Sequence, residues 1–202
     1  ANLLLAPKGA GLDLEKEVLA NWGLEDAAME IREVAGASAG AGKFFQVFSP
    51  RIFLEPETVD LVREEARGSD AILTYLANKI RKGDRLTPYS MVTGTSGNLP
   101  SPVPDDLEDN EIVLSQWLAD DLSAKPGDTV SLDYYVVESG RRLVEESFDF
   151  VVHSIGKIGE QGWDQSWTPE FPGIFEVDDL DEWEPGIPID RSLIRDKDED
   201  YW

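Results

Sequence analysis

A chain of 202 residues, 41% of them hydrophobic, is long enough to bury a core in one domain or two closely packed lobes. Its 41 acidic residues stand against 18 basic ones, and the net charge of −23 opposes binding to nucleic acid or to an anionic membrane surface, which needs clustered Lys and Arg. The absence of cysteine excludes disulfides, thiolate metal sites and cysteine nucleophiles.

In chain order, 2–7 is an apolar lead-in too short, and too poor in basic residues, for a signal peptide. Asp13 is placed to cap a helix running to Trp22, with Leu14, Val18 and Trp22 on one packing stripe and Gly23 as its stop. Met29 to Val34 alternates charged and apolar residues as an edge strand does, and the Ala/Gly/Ser run 35–42 predicts a flexible turn. A β segment over 44–54 is interrupted at Ser49-Pro50, because proline removes a ladder donor.

Pro56 opens a helix expected to reach Arg67, with acids at its start, Arg63 and Arg67 at its end, Gly68 as terminator and a Val59, Val62, Ala66 stripe. Strands are expected over 71–80 and 89–93, joined through Lys82-Gly83-Asp84-Arg85, and a long loop or lobe boundary over 95–110. Gly94-Thr95-Ser96-Gly97-Asn98 lacks Walker spacing and its lysine and is read as a turn.

The stretch 110–155 organises the rest. It contains a strand over 111–114, a short helix over 115–122 capped by Ser115, and a Lys125-Pro126-Gly127-Asp128 turn. Two strands joined at Ser139-Gly140 follow. Val130, Leu132, Tyr134 and Val136 alternate with Ser131, Asp133, Tyr135 and Val137; in the return strand Phe148, Phe150 and Val152 alternate with Asp149, Val151 and His153. From Gly156 onward prolines, tryptophans and carboxylates dominate without a period, which predicts an irregular arm over 159–202 pinned by its aromatics. The expected class is α+β, with mixed or antiparallel sheets and a few short helices.

Candidate chemistry is sparse. His153 is the only histidine and is read as a half-exposed strand residue rather than a general base. Asp178, Asp179, Asp181, Glu182 and Glu184 form one acidic cluster, and Asp190, Asp196, Asp198, Glu199 and Asp200 another. Without a calcium-loop pattern both are read as solvated surface, and no metal or cofactor is expected. Trp163, Trp167, Phe171, Phe175 and Trp183 have two readings: plugs that seat the arm on the core, or a groove contacting a sugar, peptide or partner. Nothing selects a pair of carboxylates for an acid-dependent hydrolase.

Two motifs bring a resemblance. Ile112 to Leu122 followed by Lys125-Pro126-Gly127-Asp128-Thr129-Val130 and the strand Phe150-Val151-Val152-His153-Ser154-Ile155 resembles the extracytoplasmic, MacB-like periplasmic core domain of FtsX-like ABC transporter permeases. Thr168-Pro169-Glu170-Phe171-Pro172-Gly173-Ile174, Pro188-Ile189-Asp190 and Ile194 to Trp202 are similar to the end of that domain in large permeases of environmental bacteria. Leu73 to Asn78 and Pro88 to Val92 fit the same group.

The resemblance spans about 44–202. It implies one extracytoplasmic core domain over 1–202, with lobes over 1–98 and 110–158 and the arm over 159–202. Such a domain is non-catalytic and lies on the periplasmic face of the bacterial inner membrane. It connects to transmembrane helices of the same parent chain and is moved indirectly by a separate ABC ATPase subunit, to handle a substrate or extracytoplasmic partner protein. A start without Met and an end at Asp200-Tyr201-Trp202 predict an excised fragment of that parent. The alternative is a secreted carbohydrate- or peptide-binding module using the aromatic arm.

Overall fold

The computed structural model describes residues 16, 20, 22–35, 43–49, 56–66, 68–69, 71–95, 103–138, 142–157 and 187–201. They form an α+β domain, mostly strands, in which a curled mixed five-stranded half-barrel accompanies a two-stranded ribbon and a few short helices. The ribbon pairs β1 (Glu30–Ala35) with β2 (Lys43–Phe48) antiparallel. Helix α1 (Pro56–Glu65) follows. The half-barrel contains β3 (Ile72–Lys82), β4 (Arg85–Thr95), β5 (Glu111–Ser115), β6 (Thr129–Val137) and β7 (Leu143–Gly156), in the spatial order β4-β3-β6-β7-β5. Only β5 and β7 run parallel; their register shifts between Ile112 and Val113. Strands from both sides of the loop before Glu111 therefore share one sheet.

Helix α2 (Gln116–Leu122) lies across this sheet. Ser115 caps it, accepting the Leu118 N–H at 3.3 Å, and Ser123 closes it in the left-handed region at φ 49°. Its inner face contributes Leu118, Ala119 and Leu122, which pack with Ala77, Ile80, Leu114, Val130, Leu132 and Val152 in one buried cluster. The period-2 pattern of β6 holds for Val130 and Leu132, which are buried opposite Phe150 and Phe148, with Tyr134 packed against the cluster's margin; Asp133 on the other face is buried as well, and Phe148 is exposed. The turn after α2 needs glycine at Gly127, where φ is 88°. There the Gly127 N–H bonds the Val152 carbonyl at 2.7 Å, and the Val152 N–H bonds the Asp128 carbonyl at 2.8 Å. The turn is thus stitched onto β7 as a continuation of β6.

Several expectations are corrected. Trp22 lies outside any helix and is 59% exposed; of the helix expected before it, only Lys16 and Ala20 are described, both helical and exposed. From there the Gly23 N–H bonds the Asp26 carboxylate at 2.8 Å, and the chain enters a 3-10 turn over Glu25–Ala27. Helix α1 ends at Glu65 and buries none of its residues, so its stripe of Val59, Val62 and Ala66 is not a core face. Strand β4 runs straight through Pro88 rather than starting after it, and Gly94 and Thr95 continue it instead of turning. A proline is tolerated because β4 is the edge of the sheet, hydrogen-bonded on one side only. The Ser139-Gly140 hairpin tip and the β continuation over 50–54 lie outside the described residues.

Leu122 is fully buried and Leu61, on α1, is 59% exposed. Leu122→Ala is expected to lower unfolding free energy by about 2–5 kcal/mol, and Leu61→Ala to change it by less than about 0.5 kcal/mol. Urea denaturation of the two variants checks the assignment, and equal losses would overturn it.

Candidate functional site

Helix α2 has a second side, turned toward the edge strand β4, and it carries Asp121 and Trp117. The Asp121 carboxylate is nearly closed off, its side chain 6% exposed, and its acceptors are filled from three directions. Thr87 Oγ1 of β4 donates at 2.6 Å, Arg195 Nη2 donates at 2.7 Å, and the Lys197 ammonium forms a further ion pair. The Arg85 guanidinium bonds the backbone carbonyl of the same residue at 3.1 Å.

Arg195 comes from the segment 187–201, which contains a 3-10 turn at Arg191–Leu193 and a single helical turn at Asp196–Glu199. Its guanidinium reaches three acceptors. One nitrogen donates to the Leu86 carbonyl on β4 at 2.8 Å, a second to Asp121, and Nε to Asp198 Oδ2 at 2.7 Å. Asp198 is fully buried and also accepts the Arg195 backbone N–H at 2.9 Å. One cation thus joins two buried carboxylates, one on the segment and one on α2, in the bidentate style that guanidinium geometry allows.

Two more contacts flank this junction. The Asp190 N–H donates to the Tyr89 hydroxyl at 2.6 Å, and Trp117 stacks on Tyr201 with ring centroids 4.3 Å apart and an interplanar angle of 16°. Tyr89 itself is buried with φ 44°, a conformation that a bulky side chain adopts only where its surroundings hold it. Asp190 caps the 3-10 turn, its carboxylate accepting from the backbone and hydroxyl of Ser192 at 3.0 and 2.6 Å.

Electrostatics follow the contacts. Burial pushes the Asp121 carboxyl up, but hydrogen bonds from Lys197, Thr87 and Arg195, with the Arg195 charge, outweigh it and leave it below 3.8. The Asp198 hydrogen bond raises Arg195 against the effect of its own burial, and Asp121 adds to that rise. A similar fork lies on β6: Arg81 donates to both Asp133 oxygens at 2.9 and 2.8 Å. Burial raises the Asp133 carboxyl, but Arg81 and Ser147 hold it below its usual value. These carboxylates have their lone pairs occupied by donors. The arrangement is suited to holding segments together rather than to moving a proton.

The sequence-predicted site residues fare differently. Trp163, Trp167, Phe171, Phe175 and Trp183, with the acids 178–184, lie outside the described residues. His153 sits on β7 with its side chain 23% exposed; Nε2 lies 3.4 Å from Asp106 Oδ1, and Nδ1 is buried without a hydrogen-bond partner among the described residues. The second acidic cluster is not solvated surface throughout. Asp198 is buried, because Arg195 neutralises it within the same helical turn, and Asp190 works as a cap. Among the described residues no group of three or more His, Asp or Glu is placed to hold a metal ion, and no helix is long and apolar enough to cross a membrane.

Sequence reasoning passed over Asp121, Arg195, Thr87 and Tyr89. A signal was present in the tail: Arg195 and Lys197 alternate with Asp196, Asp198, Glu199 and Asp200 in a chain short of cations. The spacing of three between Arg195 and Asp198 suits a helical ion pair.

A carboxylate whose folded pKa lies below its unfolded value stabilises the fold at pH above the unfolded value and loses that contribution as pH falls through the folded one. The stability gap between the parent protein and Asp121→Asn is therefore expected to be constant above about pH 5 and to shrink progressively below 3.8. Urea midpoints of the two proteins measured from pH 6 down to pH 3 test this. A gap that widens on acidification would contradict it.

No protein-family model matches the chain. Over 139 residues it is 29% identical to an aspartate–tRNA(Asp/Asn) ligase of Corynebacterium kroppenstedtii, a match that covers 66% of this chain and 22% of the ligase. The chain thus spans about a fifth of the length of that curated relative.

Proposed function

We propose that this chain is the non-catalytic extracytoplasmic domain of an FtsX-like ABC transporter permease, built as a MacB-like periplasmic core. In this role it couples ATP-driven motion of its parent complex to the handling of a substrate or partner protein outside the membrane. The partners are the transmembrane helices of the parent chain and, through them, an ABC ATPase subunit.

One observation carries the reading. Two of the stretches that bear the permease resemblance, within 112–130 and 188–202, are far apart in the chain, yet they meet. Asp121 receives Arg195 and Lys197 across separations of 74 and 76 residues, and Trp117 stacks on Tyr201. A motif pair that is also a contact pair is what a shared ancestral module would retain. The contact is mechanically apt, since it ties a C-terminal segment to a short helix seated on a hydrogen-bonded sheet. While the segment is docked, its displacement would be passed to α2 and β4 through these charge-assisted hydrogen bonds. The finer architecture of lobes over 1–98 and 110–158 belongs to the same proposal.

The likeness to the tRNA ligase supports no competing reading. It involves a small part of that protein, and a chain carrying −23 repels a polyphosphate such as tRNA.

The parent locus tests the proposal. It is expected to encode apolar spans of about 20 residues on both sides of this segment, with an ABC ATPase gene alongside. A parent protein without such spans would overturn the reading.

A further inference from the structure

We infer that residues 187–201 form a detachable strap, latched to the edge of the half-barrel by Arg195, that opens as a unit while the sheet and α2 remain folded. The inference stands on the contacts of this segment and does not depend on the permease reading.

The strap grips the body at a few polar points. Among them are the Asp190 N–H on the Tyr89 hydroxyl, the Tyr89 hydroxyl on the Asp190 carbonyl, the Arg195 guanidinium on the Leu86 carbonyl and on Asp121, and the Lys197 ammonium on Asp121. The Tyr201 ring also stacks on Trp117. None of its residues belongs to the buried apolar cluster under α2. Its apolar residues Ile189, Leu193 and Ile194 are half-buried and none is fully buried. Undocking therefore removes no side chain from that core, and a segment held outside the core belongs to the part of a fold that opens at lower free energy.

Arg195 divides its bonds in a way that favours opening as one piece. Its links to Asp198 lie within the strap and travel with it, so the buried Asp198 keeps its counter-charge when the segment leaves. Its links to Asp121 and Leu86 cross the interface and break together. Asp121 retains Thr87 as a donor on β4 and gains water. Both halves are thus electrostatically satisfied when apart, which a buried ion pair ordinarily prevents. Opening bares Trp117 on α2 and the outer edge of β4 around Leu86.

Native-state hydrogen exchange on the 202-residue chain tests the latch, with the Asp190 amide as reporter because it bonds the Tyr89 hydroxyl across the interface. This amide is expected to exchange through an opening that leaves the amides of Val130, Leu132 and Val152 protected. Arg195→Gln is expected to speed exchange at Asp190 on the order of 100-fold, with the β6 and β7 amides unchanged. Arg195→Lys, which keeps the charge but loses the fork, should fall between. Tyr201→Ala, which removes the stack and no charge, should also accelerate Asp190 alone. Exchange of Asp190 and the β6 amides at one common opening free energy in the parent protein would overturn the inference, whatever the variants do. Equal acceleration of strap and core in both Arg195→Gln and Tyr201→Ala would overturn it as well.

Discussion

A single guanidinium between two buried carboxylates is the constraint on which the arrangement of this domain's edge depends. Asp198 has no exposure and Asp121 almost none, so each needs a cation or donors in place before it can remain charged away from water. Arg195 supplies both and reaches a backbone carbonyl of β4 as well. Removing one member of such a set costs far more than the net worth of the set, because the survivors are left uncompensated. The position of 187–201 on the sheet is accordingly fixed by charge and hydrogen-bond geometry, whereas the sheet beneath it is fixed by apolar burial.

The same economy of cations recurs along β3. Arg81 is forked onto Asp133, Lys82 bridges the Ser123 carbonyl and Asp128 at 2.6 Å each, and Lys79 lies 3.5 Å from Glu145, which also accepts from Asn78 at 2.9 Å. In a chain with more than twice as many acids as bases, each base placed between acids relieves local repulsion as well as making a bond. Those pairs are spread over β3, β6, the turn after α2 and the strap. The β3 and strap cations therefore hold together pieces that are distant in sequence, and the strap among them contributes nothing to the apolar cluster centred under α2.

What could be read from the residues alone was whatever depends on local spacing. The alternation in β6, the Ser115 cap, the Gly127 turn and the two separate strands β1 and β2 all follow from period, capping chemistry or backbone freedom within a few positions. What was not legible depends on neighbours in space. Pro88 looked like a strand boundary, since nothing local says that β4 is an edge. The stripe of α1 looked like a packing face, although no element covers it deeply enough to bury a residue. Asp198 looked like one more surface acid, because the Arg195 beside it is itself docked on Leu86 and Asp121, which are distant in sequence. Aromatic docking of the tail was anticipated in kind, but the pair described is Tyr201 on Trp117.

The edge of β4 also explains why the strap is held by side chains. An exposed sheet edge normally invites another strand, whose backbone would complete the ladder. Here Leu86 turns its carbonyl outward to Arg195, and Pro88, two residues on, has no N–H to offer an incoming strand. Tyr89 follows in a left-handed conformation that breaks the regular pleat. Along this outer edge an incoming strand cannot continue pairing across that sequence, and the segment that docks there uses a guanidinium, a phenol hydroxyl and a ring stack instead. Bonds of that kind form and break at side chains, without shifting the register of the strands below. The irregularity at Pro88 and Tyr89 thus blocks edge-to-edge pairing and, in the same place, makes the contact with the strap compatible with a sheet that does not move.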